Sequence, residues 1–273
     1  MPYKTLLVHL HDERRAEAQL EPAIELATRY NAHLKGLYVR TGNHGAAYAP
    51  QAPGALLAEK RSRGDEIAAT FARMTAMGQF VAEWRLLEGA HNDLSAAVVE
   101  HGRTADLVIV GQADPDHNLY PGLDFPQHLA LGIGRPVLVI PYAGRHPMVG
   151  RNVVIAWKAE RASVRAVFDA LPLLQGAQNV HILEVRRREE EGALGTAVVI
   201  AESLARHAVK ATIRTSVAPD ISIGDEILSR LADLGADLLV MGAYGHSRMR
   251  ELVFGGVTRH IARHMTVPTL FAH

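Results

Sequence analysis

Cysteine occurs nowhere in the 273 residues. Its absence removes disulfides, thiolate nucleophiles and Cys-ligated zinc together, and it fits a reducing compartment. Aromatic residues are also scarce, at 5% of the chain against 48% hydrophobic residues overall. The core must therefore be built from Val, Leu, Ile and Ala, a palette that suits parallel strands covered on both faces. No apolar run approaches the roughly 18 residues of a membrane span. The opening MPYKTLLVHLHDERR lacks a cleavage-type small-residue pattern and reads as a strand, not a signal peptide. A cytoplasmic protein with no membrane contact is the expectation. Neither sign of charge is in excess: 29 Lys and Arg face 29 Asp and Glu. Residues 1–145 hold 14 basic and 16 acidic side chains, and the remainder hold 15 and 13. Neither half has the basic surplus that a phosphate backbone demands, so nucleic acid is not an expected partner.

What the chain does have is a pattern stated twice. Residues 5–10 (TLLVHL) read as a strand, 13–30 as a helix and 33–39 (HLKGLYV) as a second strand. Residues 152–157 (NVVIAW), 162–174 and 180–185 (VHILEV) repeat that order. ADLVIVG at 105–111 matches ADLLVMG at 236–242, and PVLVIP at 136–141 matches PTLFA at 268–272. Third strands fall near 81–87 and 211–217, with helices near 93–102 and 223–234 before the fourth strands. Strands alternating with helices at this spacing imply right-handed crossovers. The fold class is α/β, with two tandem doubly wound parallel-sheet domains expected at 1–145 and 150–273. TGNHGAAYAPQAPG at 41–54 reads as a long loop, AGRHPMVG at 143–150 as a linker, and RRREEE at 186–191 as a solvated charge run.

The segment MGAYGHSRMRELVFGGVT at 241–258 carries the chemistry. An aliphatic strand, 237–241, ends at Gly242. Gly245 follows after two residues and Gly255-Gly256 after nine more, leading into a helical pattern at 257–265. Glycines at a strand end let a backbone approach a ligand and aim successive N–H groups at it. A helix starting at Gly255 or Gly256 adds unpaired N–H groups and the positive end of its dipole, a combination suited to phosphate oxygens. The alternative is that one pair makes a tight turn and the other a close helix contact.

This segment resembles the universal stress protein signature, Gly-x2-Gly-x9-Gly-(Ser/Thr), and the repeat over the whole chain resembles the tandem form of that family. The resemblance implies that Gly242, Gly245 and Gly255 hold the phosphates and ribose of ATP, with Gly256 at the Ser/Thr position. It also implies the strand order 3-2-1-4-5 and pairing through the last strands, 136–140 and 268–272, as an internal pseudo-dimer. Further homodimerisation stays open. Gly256 departs from the pattern by lacking a hydroxyl, which Thr258 can supply from the first helical turn. Lys158 stands where ATP-binding members carry an Asp for the adenine; lysine donates hydrogen bonds and cannot accept them, but it adds positive charge. Trp157 beside it offers a stacking face, and Arg248 can close over phosphates from within the loop.

The first half lacks this cradle. After Gly111 come Gln-Ala-Asp-Pro-Asp-His-Asn, and Gly132 and Gly134 arrive too late, reading as the end of a short helix. His9 with His11, and His260 with His264, have spacings that permit joint ligation, but neither pair comes with an acid in a recognised metal pattern. No Walker A, Gly-x-Gly-x-x-Gly or Gly-x-Ser-x-Gly sequence occurs. The expected protein is a stress-response sensor or regulator that binds an adenine nucleotide such as ATP, or a similar small phosphorylated ligand, through its second half. Mg2+ would enter only with ATP. No catalytic residue and no resident metal are assigned. A slow ATP hydrolase, needing an acid such as Asp220 or Glu251 near the phosphates, and a protein-binding scaffold are the alternatives.

Overall fold

The computed structural model describes residues 2–40, 53–88, 93–114, 122, 124–188, 195–243 and 256–273. The first half runs β1 (Thr5–His9), α1 (Ala16–Tyr30), β2 (His33–Val39), α2 (Pro53–Thr75), β3 (Ala82–Leu87), α3 (Leu94–Gly102), β4 (Leu107–Gly111), α4 (Phe125–Gly132) and β5 (Val137–Ile140). The second half runs β6 (Asn152–Ala156), α5 (Arg161–Asp169), α6 (Leu171–Gln175), β7 (Asn179–Arg186), α7 (Thr196–Arg206), β8 (Ala211–Val217), α8 (Ile223–Asp233), β9 (Leu238–Gly242), α9 (Gly256–His264) and β10 (Thr269–Ala272).

The ten strands among the described residues lie in one sheet, ordered β3-β2-β1-β4-β5-β10-β9-β6-β7-β8. Each half keeps the order 3-2-1-4-5 with parallel neighbours. The halves meet at an antiparallel pair, β5 with β10, in which Thr269 faces Val139, Leu270 faces Leu138 and Phe271 faces Val137. An apolar strand left at a sheet edge invites a partner, and here each half covers the other. The expected internal pseudo-dimer is the arrangement observed.

The aliphatic strands explain the layering. β4 and β5 are buried at every position, because helices cover both faces. Leu20 of α1, Phe71 of α2, Val167 of α5 and Ile200 of α7 pack on one face. Val98 of α3, Leu129 of α4, Ile227 of α8 and Ile261 of α9 pack on the other.

The letter-for-letter repeat has a mechanical cause. Asp106 Oδ2 accepts the backbone N–H groups of Lys4 and Thr5 at 2.8 and 2.9 Å. Asp237 accepts those of Gly150, Arg151 and Asn152 at 3.0 to 3.1 Å. In each half the acid before the fourth strand thus satisfies the donors that enter the first strand, where no ladder partner reaches them.

Three sequence expectations need adjustment. The helix expected at 162–174 is two helices, α5 and α6, joined at Ala170. Pro172 has no N–H for the fourth-preceding carbonyl and its ring crowds that carbonyl, so the helix restarts with the proline in its first turn. The helix expected from residue 13 begins at Ala16, after a turn closed by Arg15 N–H to Asp12 O at 3.2 Å. The loop read at 41–54 ends two residues early, since Pro53 opens α2; residues 41–52 lie outside the described residues. So do 189–191 of the charge run. Gly132 ends α4, and Gly134 turns the chain at φ +71°, as a short helix before the last strand requires. The linker is tied down, with Arg29 donating to Val149 O at 2.9 Å. No helix among the described residues is long and apolar enough to cross a membrane.

Candidate functional site

In an open α/β sheet the crevice forms beyond the carboxyl ends of the strands, where neighbouring crossovers leave on opposite faces. In the second half that switch point lies between β6 and β9. A cleft of about 180 Å³ opens there. Trp157 and Lys158 at the end of β6, Gly242 at the end of β9 and Gly256 and Thr258 at the start of α9 all line it. Five of the eight residues singled out from sequence therefore meet in one place. The other three, Gly245, Arg248 and Gly255, lie outside the described residues.

Each has a local cause. Gly242 admits the first turn of α5: a Cβ built on it would sit 2.5 Å from the Ala162 carbonyl carbon and from the Ser163 nitrogen. Both are backbone atoms that no side-chain rotation can clear. This glycine thus has a packing duty whatever binds nearby. Gly256 is the opposite case. It begins α9, and among the described residues nothing beyond its chain neighbours and its own helix lies within 4 Å of where its Cβ would be. Thr258, in the same first turn, is buried. Trp157 is 8% exposed and belongs to the core, with its indole N–H donating to Thr196 Oγ1 at 3.3 Å. It forms a fixed wall of the cleft. Lys158 reaches solvent, with 62% of its side chain exposed, and pairs with Glu160.

Sequence reasoning missed the apolar side of the cleft. Leu183 and Val185 of β7, Ile227 of α8 and Met241 of β9 supply it, from three elements far apart in sequence. Ser163 and Glu160 add polar groups at the α5 end. The arrangement offers an apolar slot on one side and helix N–H groups with a nearby cation on the other.

Among the described residues, the corresponding end of the first half is closed. Between β1 and β4 the side chains of His11, Asp12, Arg15, Gln19, Gln112, Asp114 and Tyr142 leave about 10 Å³, room for a single water. The Gln19 amide lies against Gly111. The acids expected after Gly111 are half visible: Asp114 lines this closed end, and Asp116 lies outside the described residues. His9 and His11 stack here, ring centroids 5.6 Å apart and 11° from parallel. Among the described residues no three His, Cys, Asp or Glu side chains are placed to hold a metal ion.

Burial pushes the His9 imidazole well below its ordinary pKa and the His11 imidazole down to about 4. Both rings are therefore neutral when folded, while the unfolded chain binds their protons near pH 6.5. Stability is fully present above that pH and falls as the pH drops toward 4, because only the unfolded state gains protons there. His11 alone accounts for a loss of roughly 2–3 kcal/mol between pH 7.5 and 4.5. Urea titrations across this range should show the decline, and His11→Gln should flatten it. A wild-type unfolding free energy that stays level from pH 7.5 to 4.5 would refute the buried neutral pair.

A doubly wound tandem α/β protein with an open switch-point cleft in its second half is the class that fold and site define. Comparison with known proteins places it further. Residues 151–273 match the sequence model of the universal stress protein family. A universal stress protein of Synechocystis sp. is 33% identical over 96 residues. That match covers 33% of this chain and 31% of the relative, so it spans about a third of each. Among solved structures, a universal stress protein from Archaeoglobus fulgidus aligns with TM-score 0.74 and 14% identity, covering 98% of this chain and 95% of its own. A putative universal stress protein from Pseudomonas aeruginosa aligns with TM-score 0.54 and 14% identity, covering 99% and 93%. At such identities the likeness is one of fold. Residues 151–273 thus carry the sequence pattern of the universal stress protein family, and the chain as a whole shares its fold with a solved universal stress protein.

Proposed function

We propose that the second half binds an adenine nucleotide such as ATP, or a similar phosphorylated small molecule, in the cleft between β6 and β9, and that the protein acts as a sensor or regulator in the cytoplasm. The observation that carries this reading is the placing of the start of α9: Gly256 and Thr258 line a cleft at the sheet's switch point, and no described residue outside the helix and Gly256's chain neighbours comes within 4 Å of a Cβ at 256. The N-terminal end of a helix and its dipole favour anions at that point. Lys158 adds a positive charge at the rim, and Mg2+ would accompany ATP. The apolar slot formed by Leu183, Val185, Ile227 and Met241 is suited to the flat face of a base. The Gly-x2-Gly-x9-Gly spacing and the family match fall on this same half. The one carboxylate among the described lining residues, Glu160, is held by Lys158, so the reading is of binding and not of turnover. Mass spectrometry of small molecules released from freshly purified, denatured protein tests it. A nucleotide or other phosphorylated compound in the supernatant is the expected result. Protein that carries none, and shows no heat on titration with ATP and Mg2+, would overturn the reading.

A further inference from the structure

The residue after the fourth strand differs between the halves, and the difference reaches across the seam. Gln112 follows Gly111 as Ala243 follows Gly242, and both backbones do the same thing. Gln112 N–H donates to Ile140 O at 2.7 Å, and Ala243 N–H donates to Ala272 O at 2.8 Å. The side chains part company. Gln112, only 5% exposed, donates from Nε2 to Ala262 O and to Arg263 O, both at 3.0 Å. Its Oε1 accepts the Tyr142 backbone N–H at 3.0 Å. Ala262 and Arg263 are in the last turn of α9, whose carbonyls have no partners within the helix. A side chain of the first half therefore caps the helix whose other end opens the second half's cleft. Asp124, just before α4, adds a looser hold, lying 4.0 Å from Arg259 and 3.9 Å from Arg263. Alanine at 243 can return no such cap to α4.

We propose that Gln112 is a positioning residue for the second half's ligand cleft, and that the first half, its own cleft closed, serves to fix α9. This rests on the reading of that cleft as the binding site. A nine-residue helix is a rod about 14 Å long, so anchoring its last turn sets where Gly256 and Thr258 stand. By linkage, a ligand held at the start of α9 strengthens the grip of Gln112 at its end, and the two halves respond as one unit.

The test uses the full chain and ATP with Mg2+ as the probe, comparing wild type, Gln112→Ala and a control, Leu26→Ala. Leu26 is fully buried in the first half and packs in the opposite helical layer from α9, so the control loses stability without touching that helix. Gln112→Ala should bind ATP at least fivefold more weakly than wild type and exchange its α9 amide hydrogens at least tenfold faster. Leu26→Ala should stay within twofold of wild type in affinity. An affinity loss no larger in Gln112→Ala than in Leu26→Ala, or unchanged α9 exchange in Gln112→Ala, would overturn the inference. Should wild type bind no ATP, the proposed function fails separately, and the α9 exchange comparison alone decides whether Gln112 holds the helix.

Discussion

Leu270→Asp is expected to lower the melting temperature of the whole protein by at least 10 °C. Leu270 has no exposed surface and sits opposite Leu138 at the antiparallel seam, with Val240 of β9 on its other side. A carboxylate there has neither water nor a cationic partner, and it must be desolvated or protonated to stay. Losing the leucine costs about 2–5 kcal/mol by itself, and burying an unpaired polar group adds several more. The sum is comparable with the roughly 5–15 kcal/mol that holds a typical protein folded. At about 2–4 °C per kcal/mol for chains of this size, 10 °C is the conservative end. Ile221→Asp, at a position 45% exposed, is the matched control and should shift melting by no more than 2 °C. Because β10 is central only when the halves pair, a Leu270→Asp protein that melts with wild type would mean that the seam does not form.

The fold was legible because the chain repeats itself under identical constraints. Ala-Asp-Leu recurs before the fourth strands since Asp106 and Asp237 each close the entry to a first strand. The aliphatic runs recur since both sheet faces are covered. The break at Pro172 was less legible, because proline alone does not decide it: Pro22 lies inside α1 without ending it. The second half restarts its helix where Leu173 and Leu174 turn into the core, and that is a tertiary demand. The glycine spacing located one wall of the cleft, but it hid the second duty of Gly242, which depends on where α5 packs. Val185 and Ile227 fall in segments the sequence marks only as a strand and a helix, and the strand order is what brings them beside Trp157. Gln112 read as a mere departure from the glycine pattern. Its partners lie 150 and 151 residues away, beyond the reach of any local rule.

Gly256→Asp tests the central claim most directly, because it separates folding from anion binding at a single atom's position. A Cβ at 256 meets no described residue within 4 Å beyond its chain neighbours and its own helix, so the described packing does not bar a substitution there. An acid in the first helical turn is favourable to the helix by about 0.3–1 kcal/mol, so the melting temperature should hold or rise slightly. The same carboxylate would stand where phosphate oxygens are to be received, and like charges at contact repel strongly in a half-buried cleft. Calorimetric titration of ATP with Mg2+ into wild type, Gly256→Asn and Gly256→Asp is the measurement. The account predicts binding by wild type, retained binding by the neutral Asn variant, and at least a thirtyfold loss for Asp, about 2 kcal/mol. A well-folded Gly256→Asp protein that binds ATP within twofold of wild type, about 0.4 kcal/mol, would contradict it.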